Sequence, residues 1–257
     1  METPFVFLKA LFSAAVVAAF FSLFVVPLAW AGQSGVPAPG NADRLYANRD
    51  DLPSAERAAT LWEERLVSNP RDFEAAWKLS RARYWLGGHV GEDERREQYE
   101  QGIAVARRAN AMEPDRPEGH FWMAASMGAL AESFGLRAGL RYRGPIREQL
   151  EIVLGLDPAF QQGSADRALG RWYFKVPGLF GGNDDRAVEH LERSLAYNPE
   201  STATLFFLAE TLLEMERIEE ARTRLEQVLA APLDPEWAPE DREFKAQAQE
   251  LFKTLQP

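Results

Sequence analysis

The sequence contains no cysteine. Disulfides, thiolate zinc sites, iron–sulfur clusters and thiol nucleophiles are thereby excluded, and so is a lipid-modified N-terminal cysteine. Histidine is nearly absent too. His89, His120 and His190 are the only three, and no short spacing pairs them. A zinc site needs three or four converging ligands, so no metal site is expected. Gly-x-Ser-x-Gly, Gly-x-x-x-x-Gly-Lys-Ser/Thr and His-Glu-x-x-His are all missing. No catalytic residues and no cofactor are therefore expected. The formal net charge of −10 disfavours nucleic acid and anionic membrane surfaces as partners. Hydrophobic residues make up 46% and charged residues 26%, the balance of a folded chain.

One long apolar run is present. From Phe5 to Ala31, Lys9 is the only charge, and the run ends in Pro27-Leu28-Ala29-Trp30-Ala31. Small residues at Ala29 and Ala31 suit a signal peptidase, so residues 1–31 read as a signal peptide cut after Ala31. The run is also long enough to span a bilayer, which leaves an uncleaved membrane anchor as the alternative. Either reading places the rest of the chain outside the cytoplasm, periplasmic or secreted. Residues 32–40, rich in Gly and Pro, read as a flexible linker. The folded domain is expected over 41–257.

Within it, prolines recur at near-even spacing: Asn69-Pro70, Glu113-Pro114, Asp157-Pro158 and Asn198-Pro199, then Pro232. A proline stops a helix, so evenly spaced stops after apolar stretches predict a repeated helix pair. Twelve, eight and five places before each proline stand Ala58, Trp62 and Arg65; Gly102, Ala106 and Ala109; Ile146, Leu150 and Val153; Ala187, Leu191 and Ser194. A fifth set is Ala221, Leu225 and Val228, with Pro232 one residue early. These positions share one helical face. The first helices carry Trp77-x-x-Ser80-Arg81-x-x-Tyr84 and Leu169-Gly170-x-x-Tyr173, as a tetratricopeptide unit does. The expectation is all-α: a tetratricopeptide-like α-solenoid of about five helix hairpins. Asp241 to Leu255 is apolar on one side, with Phe244, Ala248, Leu251, Phe252 and Leu255. It is expected to be a C-terminal capping helix.

Units two, three and four exceed the usual length. The excess is read as insertions between the two helices: Gly87–Glu92, Glu132–Pro145 and Trp172–Gly182. Equivalent insertions of a solenoid emerge on one edge and often line its binding face. Phe174, Leu179 and Phe180 in the last either bind something or fold back on the body. Arg137, Arg141 and Arg143 in the middle one either hold a carboxylate or phosphate or remain solvated. The candidate binding residues are Trp77, Arg81, Tyr84, Trp122, Arg137, Arg141, Arg143, Trp172, Tyr173, Phe174, Lys175, Pro177 and Phe180.

Gly170-Arg171-Trp172-Tyr173-Phe174, then Val176-Pro177-Gly178-Leu179-Phe180-Gly181-Gly182, resembles the T-component family of tripartite ATP-independent periplasmic transporters. Ala75-Ala76-Trp77-Lys78-Leu79-Ser80-Arg81-Ala82 is similar to a helix of the regulator-of-microtubule-dynamics proteins, which share the Gly-Arg-Trp element. The first resemblance implies a periplasmic repeat protein that assembles with a transporter's substrate-binding protein. It also implies a hydrophobic channel or groove, and oligomers. The chain departs from that family's many lipoproteins in lacking the lipidated cysteine. Two functions are expected from this reading. One is an exported scaffold for a protein partner in the cell envelope; the other is a binder of a small hydrophobic ligand or lipid.

Overall fold

Where a proline removes a backbone N–H, the residue before it takes over the turn. The side-chain oxygens of Asn69, Asp157 and Asn198 accept from the backbone N–H two residues on, at 3.2, 3.0 and 3.0 Å. Each of these residues also ends a helix, its own N–H donating to the carbonyl four residues back. The same short turn therefore closes one helix pair and starts the next. Asp72 and Ser201 then cap the following helix by accepting from the N–H three residues on.

The structure, a computed structural model, describes residues 40–255. The signal peptide or anchor, residues 1–31, and the linker up to residue 39 lie outside the described residues. The described part holds five hairpins. They are α1 (Gly40–Ala47) with α2 (Leu52–Ser68), α3 (Phe73–His89) with α4 (Glu92–Met112), and α5 (Pro117–Ser133) with α6 (Gly135–Leu156). α7 (Ser164–Lys175) with α8 (Asp184–Tyr197) and α9 (Thr202–Glu214) with α10 (Ile218–Ala230) complete the set. A final helix, α11 (Ala238–Lys253), follows. The first helices α3, α5, α7 and α9 contact one another in turn, and each second helix packs on the first helix of the next hairpin. This is the expected solenoid, and no strand occurs among the described residues. Tetratricopeptide stacks curve so that first helices line the inner side.

The spaced positions of the second helices form the core. All are buried except Arg65, whose guanidinium pairs with Asp72 at 2.8 Å. Leu150, Leu191 and Leu225 are among the largest fully buried side chains, each contributing about 2 kcal/mol.

Two of the three expected insertions are not loops. Gly87 and Gly88 lie inside α3, and only Val90 and Gly91 separate it from α4. Gly87 permits this because the Tyr99 ring presses on it: a Cβ there would stand 2.4 Å from Tyr99 Cε1. The segment Glu132–Pro145 is helical except for Phe134, and it lengthens α6 to 22 residues with Pro145 inside. Phe134, Ala138 and Tyr142 pack against the central core, so burial outweighs the helix-breaking Gly and Pro. Only the insertion of unit four remains a loop, carrying a 3-10 turn at Gly178–Phe180.

Candidate functional site

The candidate residues fall into two groups, with two arginines left outside both. The first group lies along the inner side of α3 and α5. Trp77, Arg81 and Tyr84 follow one another at helical spacing. The Arg81 guanidinium lies 4.2 Å from the Tyr46 ring and 5.1 Å from Trp77. Its Nε is buried with no hydrogen-bond partner among the described residues. Tyr84 rests 5.6 Å from Trp122, which is itself core. Burial pushes the Tyr84 hydroxyl up, with Tyr99 and Glu132 adding to the effect. It pushes Tyr46 up to about 12, against the pull of Arg81 and Arg49.

The same side continues onto α7 and α9. Arg171 donates to both Glu132 oxygens, at 3.1 and 3.0 Å, and to Glu210. Burial works against the Glu132 charge, but Arg171 prevails and holds its carboxyl below the usual range. The Arg171 guanidinium also lies 4.5 Å from the Phe207 ring. One turn earlier stands Arg167, half-buried and in no salt bridge among the described residues. Burial lowers its pKa, opposed by Tyr84, Glu240 and Asp241.

The second group forms the joint of unit four. Trp172 Nε1 donates to the Arg143 carbonyl at 2.8 Å, and Arg143 Nη1 donates to the Phe180 carbonyl at 3.3 Å. Trp172 meets Tyr173 edge-on at 4.9 Å, and Arg186 donates to the Tyr173 hydroxyl at 3.3 Å. The Pro177 carbonyl accepts from Phe180 N and Gly182 N, while Asn183 N donates to the Tyr173 carbonyl. Gly182 is required there, because a Cβ would fall 1.6 Å from the Val176 oxygen. Trp172 and Tyr173 are buried, and Phe174 and Phe180 half-buried. Lys175, Pro177 and Leu179 are exposed. The joint thus folds back on the body, with Leu179 left outside at 90% exposure.

The arginine cluster does not form as expected. Arg137 and Arg141 are one turn apart on the exposed side of α6, whereas Arg143 is two residues on and faces inward. The third and fourth joints touch, the Arg143 guanidinium lying 5.1 Å from the Phe180 ring, and the Arg96 guanidinium of α4 lies 3.9 Å from the Phe134 ring.

The histidines have separate partners. His120 bonds Gln149, and His190 bonds Asp166 at 2.7 Å. Among the described residues no group of three or more His, Asp or Glu side chains is placed to hold a metal ion. No helix among them is long and apolar enough to cross a membrane.

Sequence reasoning missed the C-terminal segment. As expected, α11 covers the last hairpin, with Phe244, Ala248, Leu251 and Phe252 on the α9–α10 core. Its beginning, however, reaches the first hairpin. Arg49 donates to Glu240 through Nε at 2.9 Å and through Nη2, and to the Glu236 carbonyl at 2.7 Å. Arg242 pairs with Asp50 at 3.1 Å, and His89 with Glu243 at 2.6 Å. Trp237 packs against the central core. The other end is fastened by Asp241, which accepts from Thr202 Oγ1 at 2.5 Å, and by Asp234, which accepts from Gln162 at 3.1 Å. Residues 234–243 therefore form a strap from the last hairpins to the first.

A profile described as regulator of microtubule dynamics protein 1-3 matches residues 40–179, more than half of the chain. The chain belongs to this family. A tetratricopeptide repeat profile matches residues 182–240. No curated protein matches the sequence. Among solved structures, the thermophilic tetratricopeptide protein TTC0263 of Thermus thermophilus is similar, at 23% identity and a TM-score of 0.63. The match covers 83% of this chain and 98% of that one. MamA from Desulfovibrio magneticus is 16% identical over 82% of this chain and 98% of its own, with a TM-score of 0.47. The first likeness supports the fold. Tetratricopeptide proteins in general are scaffolds that hold other proteins.

Proposed function

We propose that this family member is an exported, non-enzymatic scaffold that holds a protein partner on its inner side. The observation that carries this is the composition of that side. Trp77, Arg81, Tyr84, Arg167, Arg171, Phe174 and Phe207 lie along α3, α7 and α9, and aromatic and arginine side chains are those that dominate binding energy at interfaces. Export rests on the apolar run of residues 5–31 and its Ala29-Trp30-Ala31 end. The likeness of Gly170–Gly182 to transporter T-components supports a finer reading, in which the partner is the substrate-binding protein of a solute transporter in the cell envelope. The lipid-binding alternative finds less support. Trp122 and Trp172 are 3% and 7% exposed and packed within the core.

Two measurements test the proposal. A photo-reactive residue placed at Tyr84 or Phe207 in living cells should cross-link to a protein, and one at the outer Arg107 should not. Equal cross-linking from both sides would contradict an inner binding face. The intact mass of the recovered protein should correspond to loss of residues 1–31, and full-length protein in the cytosolic fraction would contradict export.

A further inference from the structure

The inner side is already partly occupied, by the chain itself. The strap presents the carboxylates of Glu240 and Glu243, the backbone carbonyl of Glu236 and the indole of Trp237 to Arg49 and His89. It follows the chemistry of its seat closely near the first hairpin. Arg49 is 3% exposed and donates four hydrogen bonds, three of them to the strap. Trp85 supports it from below, donating to the Arg49 carbonyl at 2.8 Å and stacking on His89 at 3.9 Å.

The fit is incomplete one ring further in. Arg49 and Arg81 both lie against Tyr46, at 5.0 and 4.2 Å, yet among the described residues only Arg49 receives a carboxylate. Arg81 keeps a buried Nε without a hydrogen-bond partner among the described residues. Arg167, within electrostatic reach of Glu240, makes no salt bridge among the described residues. A half-buried guanidinium without a carboxylate is costly, and any ligand that supplies one gains a charge-assisted hydrogen bond.

We propose that residues 234–243 occupy, in cis, the seat of the protein partner, and that the partner contributes an acidic segment bearing an aromatic side chain. That segment displaces the strap and supplies carboxylates to Arg81 and Arg167. The inference rests on the scaffold reading and narrows it to one partner chemistry. A tethered strap competes at high effective concentration, so a foreign segment wins only by making bonds that the strap does not make. The two unmatched arginines are where those bonds are available. The apparent affinity for the partner is then the intrinsic affinity multiplied by the fraction of molecules with the strap open.

The test uses the full chain and a fluorescent acidic peptide that carries one tryptophan and two more carboxylates than residues 233–243 do, with a control peptide whose carboxylates are amides. A Trp237→Ala/Glu240→Gln variant, with its strap weakened, should bind the acidic peptide about tenfold tighter than the natural chain does. Adding Arg167→Gln should reverse that gain. Equal affinity for the acidic and amide peptides would overturn the proposal. Circular dichroism establishes that the variant is folded, and a second arm decides if it is not. Asp50→Cys/Arg242→Cys places two thiols at exposed positions in a chain without cysteine. A short bis-maleimide then fixes the strap in place. Peptide binding should be lost after cross-linking and kept when each thiol is capped singly; unchanged binding after cross-linking would overturn the proposal. If the inner-side photo-cross-links of the natural chain persist after the strap is fixed, the strap proposal fails and the scaffold reading stands. If those photo-cross-links never form, the scaffold reading fails.

Discussion

Arg171 and Arg167 stand one turn apart on the same helix and face the same side, yet they live differently. Arg171 is held between Glu132 and Glu210 and ties α5, α7 and α9 together. Arg167 has no carboxylate among the described residues, and burial depresses its pKa. The first is a fastener; the second is an unfilled position. The difference teaches that a stripe of cations on a repeat surface is not uniform. Stability is carried by the members whose charges are answered from neighbouring units, and binding capacity by those whose charges are not.

Substitution separates the two roles. Arg171→Met leaves Glu132 and Glu210 without their shared cation. The loss should be about 2 kcal/mol by urea denaturation, less than for a fully buried pair because all three groups keep some water. Arg167→Gln should cost less than about 0.5 kcal/mol, or stabilise, since a desolvated charge disappears and no salt bridge is lost. Similar losses for the two variants would break the comparison.

The strap gives a pH-dependent version of the same contrast. Burial opposes the His89 charge, but the bonds to Glu243 and to the Trp85 carbonyl prevail, with Glu240 adding to them, so the pKa is raised above 6.5. A raised histidine stabilises most below its unfolded value, and the contribution is lost as pH rises through the folded value. Strap closure, read from protease resistance at residues 232–237, should weaken as pH climbs from about 6 upward. His89→Gln should remove that dependence. Arg242–Asp50, exposed on both sides, should add none. Smallest of all, Arg137→Ala and Arg141→Ala should each change stability by less than about 0.5 kcal/mol, because both stand in solvent and neither is in an ion pair among the described residues.

Much of this was legible in the sequence, and the exceptions have physical causes. The hairpins could be read from Pro70, Pro114, Pro158 and Pro199, because a proline acts locally and the small residues before it recur in register. Trp77, Arg81 and Tyr84 could be read as one stripe for the same reason. The segment from Glu132 to Pro145 misled because Gly135, Gly139, Gly144 and Pro145 all disfavour helix locally. What outweighs them is burial of Phe134, Ala138 and Tyr142 against other units. The arginine cluster misled through spacing, as Arg143 is two residues from Arg141 and points away from it. The strap was invisible. Arg49 and Glu240 are 191 residues apart, and no periodicity links a turn after the first helix to the start of the last.

A seat that can change occupants requires a strap that separates from the stack it covers. Native-state hydrogen exchange measures this directly, amide by amide. Amides of residues 233–243 should exchange through a local opening, faster than those of α7 and α9, and the acidic peptide should speed that opening further. Exchange of the strap only on global unfolding, at the same rate as the buried amides of Leu169 and Leu208 and unaffected by peptide, would contradict it.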